Sequence, residues 1–240
     1  MTAEGGTEKR ISIVLPALNE AANIERAVES AAGAARELGL DPEVIVVDDG
    51  SSDGTGSVLA AMRESHPELR VETHSENRGY GCALRTGFAA ASAGLVFYTD
   101  ADNQFDVTEL GRLLPLATAN DLVVGYRIDR ADPRPRLIAA WGYNRLANLL
   151  FRTGLRDVDC AFKLMRRDSL ERLRLSSSEF FIDTEMIAKA RQLGMEIAEV
   201  GVTHYPRAAG ETTVRASHVL HTLRDIVAMW RPIHRFGNGG

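Results

Sequence analysis

Short apolar runs and helix-patterned segments alternate from residue 11 to residue 124, and this alternation leaves the chain few folds. Ile11-Ser12-Ile13-Val14-Leu15, Val44-Ile45-Val46-Val47, Leu69–Thr73, Leu95-Val96-Phe97-Tyr98 and Leu122-Val123-Val124 are short and mostly rich in β-branched or aromatic residues. They read as strands. Ala21–Leu38, Thr55–Glu64, Gly81–Ala91 and Val107–Leu116 read as the helices between them, with Asn19 as cap of the first. Strands apolar on both faces, separated by helices, imply a mostly parallel sheet covered by helices.

The second half has a different texture. Asp129–Arg136 reads as a loop, Leu137–Phe151 as a helix, Val158–Arg166 as extended, Ser178–Leu193 as a helix and Met195–His204 as a strand. Pro206–Arg215 is a loop long enough to suggest a functional one. From Ser217 to Trp230 a last helix is expected. Val219, Leu220, Leu223, Ile226, Val227, Trp230 and Ile233 recur at helical spacing there, with His218, His221, Arg224, Asp225 and Arg231 between them. Such a segment suits a membrane surface or the protein's own core. The 240 residues, 45% of them hydrophobic, fit one large α/β domain. Residues 1–10 are expected as a flexible start, 11–215 as the domain and 216–240 as an amphipathic helix and tail.

Charge and cysteine usage exclude some functions. The net charge of −5 argues against a nucleic-acid binder. Cys82 and Cys160 form no C-x-x-C pair, so a reducing cytosol is the default. The six histidines show no metal-ligand spacing. The polar start predicts no leader, and no apolar stretch reaches the ~18 residues of a membrane span. A cytoplasmic protein, soluble or peripheral, is expected.

Asp100-Ala101-Asp102 follows the run ending at Tyr98. In open α/β sheets, ligands bind outside the carboxyl ends of the strands. Mg²⁺ favours one or two carboxylates plus substrate phosphates, so this pair reads as a metal–diphosphate site. The competing reading is a surface turn. Pro16-Ala17-Leu18-Asn19-Glu20 and the Asp48–Thr55 segment follow two other strands at the same edge. A turn and helix cap account for Asp53, but not for Asp48 and Asp49, which directly follow core residues.

Seven segments in order resemble the family-2 glycosyltransferases of the GT-A fold, and more narrowly the polyprenyl- or dolichyl-phosphate hexose synthases. They are VLPALNE, VVDDGSSDGT, NRGYGCALRTGF, TDADNQFD, VGYR, DVDCAFKLMRRD and HYPRAAGETTVR. Ala161 and Thr212 depart from residues common there, Gly and Ser respectively. The resemblance implies a nucleotide-diphospho-sugar transferase fold, with residues 11–127 as the nucleotide-sugar half and 128–215 as the acceptor half. It implies donor binding by Pro16, Asn19, Glu20, Asp48, Asp49, Gly79, Asp100, Ala101 and Asp102, with Asp49 near the ribose or base. Asp100, Asp102 and Gln104 would gather Mg²⁺ or Mn²⁺. Arg127, Arg136, Lys163 and Arg207 would grip an acceptor phosphate, with Arg134 an alternative to Arg136. The implied catalytic set is Asp100, Asp102, Arg127 and Asp157; Asp157 and Asp159 are base candidates if the acceptor is a hydroxyl.

The reaction expected is inverting, metal-dependent transfer of a hexose from GDP-mannose or UDP-glucose to polyprenyl or dolichyl phosphate, at a membrane surface. A soluble or protein acceptor is the alternative. A nucleotidyltransferase would show a Gly-rich basic loop after the first strand, where this chain has PALNE. A non-catalytic nucleotide-binding or scaffold protein is the alternative from another class. Gly79-Tyr80-Gly81 could offer backbone N–H groups to phosphate. Phe180, Phe181, Ile182 and Met186 read as core, whereas Asp183 and Glu185 could reach the sugar or lie on an exposed face.

Overall fold

A computed structural model of the protein describes residues 10–128, 134–207 and 216–236, and the side chains of these except 134–136 and 216–223. The flexible start expected at 1–10, apart from Arg10, the last four residues, and most of the two loops expected at 129–136 and 206–215 lie outside the described residues.

Seven strands form one sheet: β1 (Arg10–Ala17), β2 (Asp41–Asp48), β3 (Leu69–Thr73), β4 (Leu95–Thr99), β5 (Leu122–Ile128), β6 (Phe162–Arg166) and β7 (Ile197–Thr203). Their spatial order is β3-β2-β1-β4-β6-β5-β7. All pairings are parallel except those of β6, which runs antiparallel to both β4 and β5. The α/β class and mostly parallel sheet are as expected, with helices on both sides.

The apolar runs explain the sheet's position. Val44, Ile45, Val46 and Val47 are fully buried, as are Ile11, Ile13, Val14, Val96, Phe97 and Tyr98. Each such side chain contributes roughly 1.5–3 kcal/mol on leaving water, so the central strands anchor the fold. On this sheet pack α1 (Ile24–Glu37), α2 (Thr55–Met62), α3 (Tyr80–Ala90) and α4 (Leu110–Leu113), the last flanked by 3₁₀ turns. In α1 the buried Ala27, Val28, Ala31, Ala32 and Ala35 form a stripe of mostly small residues, which lets the helix lie close to the sheet. Gly87 does the same for α3: a Cβ there would meet Val14 and Val47 inside van der Waals distance. The remaining helices are α5 (Arg134–Phe151), α6 (Arg167–Arg172), α7 (Ile182–Gln192) and α8 (Ala216–Phe236).

Two expectations change. Asn19 does not cap α1, which begins after Asn23; Asn19 has φ 57° and its amide oxygen accepts from Ser52 N–H at 2.8 Å. Asp183 and Glu185 are not on an exposed face but buried, each on a buried lysine.

The strand order places a switch point between β1 and β4. From β1 the chain moves outward to β2 and β3, then returns to β4 on the other side. The crevice opens there, at the carboxyl edge.

Candidate functional site

Three strand ends meet at this crevice, and their loops are tied to one another. Asp49 N–H donates to the Ala17 carbonyl at 2.9 Å. Asn19 N–H donates to Ser51 Oγ, and Glu20 N–H to Thr55 Oγ1, each at 2.9 Å. Asp48 accepts from Ser51 N–H at 3.0 Å. Asp53 accepts from Thr55 N–H and Ala21 N–H, both at 3.0 Å, so it serves the start of α2 and the neighbouring loop together. Pro16 is buried at the end of β1, paired with Val47.

Asp49 has a structural engagement the motif does not reveal. Its carboxylate accepts from the N–H groups of Arg78 (3.0 Å) and Gly79 (2.9 Å), and His74 Nδ1 lies 2.5 Å away. Asp49 thus fixes the turn that starts α3. Gly79 N–H is held by Asp49, and Cys82 N–H donates to the Ser178 carbonyl at 3.2 Å. A Cβ at Gly79 would stand 2.5 Å from that carbonyl. The start of α3 is therefore packed against protein at the place where a phosphate was considered.

Asp100 and Asp102 stand half-buried at the end of β4, with Ala101 buried between them. Burial, and then the charge of Asp102, push the Asp100 carboxyl up to about 8. The Tyr80 hydroxyl, 2.9 Å away, and the Arg127 charge pull the other way. Burial and the Asp100 charge keep the Tyr80 phenol protonated, so it donates. Burial also raises Asp102, against a hydrogen bond from Gln104 N–H and the charge of Arg207. Two carboxylates that resist ionisation together form a site short of positive charge. Among the described residues no group of three His, Cys, Asp or Glu side chains could hold a metal. A cation here would take Asp100 and Asp102, and complete its shell from Gln104 or a substrate's oxygens; the donor set fits a hard divalent ion.

The segment leaving β7 closes one side. Tyr205 N–H donates to the Gln104 carbonyl at 2.7 Å, and Gln104 Nε2 donates to the Tyr205 carbonyl at 2.9 Å. The His204 ring packs edge-on to Phe105. Arg207 then reaches Glu20 at 2.5 Å and Asp102 at 3.4 Å. Glu20 and Arg207, 187 positions apart, become neighbours across the crevice.

The other expected cations separate. Arg127, at the end of β5, forms a two-pronged pair with Asp157 at 2.6 and 2.7 Å. Asp157 raises the Arg127 pKa despite burial, so the charge is secure. Lys163 is fully buried, and Asp183, the Tyr98 hydroxyl and the Cys160 carbonyl meet its three N–H donors. It lies in the interior, apart from a ligand-facing wall. The side chains of Arg134 and Arg136 lie outside those described. Asp159 is half-buried beside this network; burial, then Asp183 and Asp157, push its carboxyl up to about 7. Tyr80 and the 104–105 pairing with 204–205 were not visible in the sequence as parts of the site. Only the position of Tyr80, between two glycines at a helix start, could have signalled one of them.

The family model described as Glycosyl transferase family 2 matches residues 12–174. Over 236 residues the chain is 34% identical to glycosyltransferase AglD of Haloferax volcanii, covering 94% of this chain and 36% of that protein. It therefore spans little more than a third of that relative. It is 28% identical over 240 residues to dolichyl-phosphate beta-glucosyltransferase ALG5C of Trichomonas vaginalis, covering 92% of this chain and 71% of that one. Among solved structures, glucosyl-3-phosphoglycerate synthase from Mycobacterium tuberculosis, in complex with Mn²⁺, UDP-glucose and phosphoglyceric acid, superposes with a TM-score of 0.70 at 23% identity. That match covers 93% of this chain and 79% of the other. The likeness establishes the GT-A fold.

Proposed function

The chain belongs to glycosyl transferase family 2, and from that premise we propose that it moves a hexose from a nucleotide sugar to a polyprenyl phosphate, with Mg²⁺ or Mn²⁺ at Asp100 and Asp102. The observation that carries this reading is the half-buried carboxylate pair at the switch-point crevice, short of positive charge and flanked by Arg207. A divalent ion bound there would act as a Lewis acid toward the leaving diphosphate. The protein does the rest. The joined loops from β1 and β2, with Pro16, Asn19, Glu20, Asp48 and Asp49, form the nucleoside wall. Tyr80 orients Asp100 through its hydroxyl. Arg207 turns from Asp102 toward an acceptor phosphate, and Arg127 adds a fixed positive charge that Asp100 feels.

A lipid phosphate is already anionic at neutral pH, so its attack, with inversion, needs no general base. That suits Asp157, whose two oxygens are both engaged by Arg127. The cations position the nucleophile and offset repulsion between phosphates. The relative named for dolichyl phosphate supports this acceptor. So do exposed apolar residues on α5 and α8: Ile138, Trp141, Leu149, Val227 and Trp230. They suit a protein lying on the bilayer face. No described helix is long and apolar enough to cross a membrane.

Asp159 favours a second reading. A carboxyl whose pKa lies near 7 is poised to act as general base on a hydroxyl, as a soluble acceptor would require. Incubation with Mn²⁺, labelled GDP-mannose or UDP-glucose, and short polyprenyl phosphates or soluble sugar alcohols separates the two. Label in the organic extract supports the lipid acceptor; label only in water-soluble glycosides supports the second reading and rejects the first.

A further inference from the structure

A second concave region lies between α3 and the segment from α6 to Leu175. It is an open groove of about 410 Å³. Arg78, Arg85 and Arg174 line it over a floor that includes Phe88 and Leu170. None of its lining residues belongs to the group around Asp100 and Asp102.

The charge there is unbalanced. The one acidic lining residue, Glu171, is engaged by Arg167 at 3.0 Å. Among the described residues, none of the three arginines has a carboxylate within ion-pair distance. All three are solvent-exposed in a chain of net charge −5, so they form a local positive patch that favours an anion.

The backbones of Arg78 and Arg174 and the guanidinium of Arg85 are also held in place. Arg78 N–H is fixed by Asp49. Arg85 Nη1 donates to the Ser176 carbonyl at 3.1 Å, which anchors one edge of its guanidinium. Arg174 has φ 45°, a left-handed conformation that strains a side-chain-bearing residue. Its carbonyl accepts from Lys189 Nζ at 2.7 Å, which pins the turn from the interior. Glycine would sit at this position without strain, yet an arginine stands there beside the groove.

We propose that the groove between α3 and α6 is a second anion site, which takes a phosphate-bearing ligand on Arg78, Arg85 and Arg174. Guanidinium groups bind phosphate oxygens in pairs, and three of them suit a diphosphate or a cluster of phosphate headgroups. The shared chemistry is phosphate, whether free in solution or on a lipid.

Two arms distinguish the sources. Calorimetric titration of the full chain with pyrophosphate in EDTA, which withholds any cation from Asp100 and Asp102, reports a free ligand. Flotation with phosphatidylcholine vesicles, with and without phosphatidylglycerol, reports a headgroup. Arg174→Gly is the informative variant, because glycine relieves the backbone and the fold should melt no lower than wild type. At least one probe should bind, about tenfold more weakly to Arg174→Gly or Arg85→Ala, and as well to Asp102→Asn as to wild type. The proposal is overturned if neither probe binds, if both arginine variants bind like wild type, or if Asp102→Asn abolishes binding.

Discussion

Arg127 and Arg207 each pair with a buried carboxylate, Asp157 and Glu20 respectively. Arg127 neutralises the buried Asp157 through two short bonds. Removing it takes two short charge-assisted bonds from a buried carboxylate, so Arg127→Ala should destabilise the fold by about 1.5–3 kcal/mol in urea denaturation. Arg207 is held by Glu20 and only loosely by Asp102, at the crevice edge. Arg207→Ala should also lower the denaturation midpoint, because buried Glu20 loses its guanidinium partner, and in the folded variant it should weaken a short polyprenyl phosphate more than the nucleotide sugar, measured by separate titrations. Equal losses for both ligands would refute its acceptor role. Asp159 carries a pH signature. Its folded pKa of about 7 exceeds the ordinary value near 4, so the folded state binds the extra proton between them. The stability this gives is fully present at the acid end and is lost as pH rises through about 7. Asp159→Asn should flatten stability across that window; an unchanged slope in urea titrations would contradict it. Single residues were legible where their chemistry is local, as with Asp100 and Asp102. They were not where the partner is distant: nothing beside Lys163 in the chain announces that Asp183 and Tyr98 enclose it.

Helices and strands with strong patterning could be read within a few residues. Leu69–Thr73 falls on β3 as expected, and β2 extends the apolar run 44–47 by three residues before it and one after. The weakly patterned stretch 158–178 was harder. It holds β6 and α6, and helix α7 starts four residues later than Ser178, with residues 177–179 packed against Gly79 and Gly81 instead. Close approach makes α3 sensitive. Gly87→Ala gains about 1 kcal/mol in helix propensity, but its methyl would collide with Val14 and Val47, an overpacking that costs about 1–3 kcal/mol. Net destabilisation in urea is expected, and stabilisation would show that α3 can move off the sheet. Helix α8 packs on the core by one face, one of the two readings the sequence posed, and leaves apolar residues exposed on another. Ile226 and Ile233 are buried in a cluster with Phe151 and Phe181, while Val227 and Trp230 stay exposed. Ile233→Ala should cost about 2–5 kcal/mol of stability. Trp230→Ala should cost little stability but reduce flotation with anionic vesicles; undiminished flotation would remove α8 from the membrane contact.

The whole molecule was legible as a class before it was legible as a topology. Repeated apolar strands and intervening helices specify a covered parallel sheet, and parallel strands share a carboxyl edge, so the convergence of Pro16–Glu20, Asp48–Asp49 and Asp100–Asp102 followed. The insertion of β6 between β4 and β5, with reversed direction, did not follow. It rests on pairings as distant as Leu95 with Arg166, which no local pattern encodes. The same long-range closure brings the β7 exit over Gln104 and sets Arg207 against Glu20. The central claim is that this closed crevice uses Asp100 and Asp102 to hold a divalent cation for hexosyl transfer. Its most direct test is label transfer from sugar nucleotide to polyprenyl phosphate by wild type and Asp102→Asn, each with Mn²⁺ and with excess EDTA. Transfer by wild type with Mn²⁺, none in EDTA, and a loss of about 100-fold or more in a folded Asp102→Asn are expected. Full transfer in EDTA, or wild-type rates from Asp102→Asn, would contradict it.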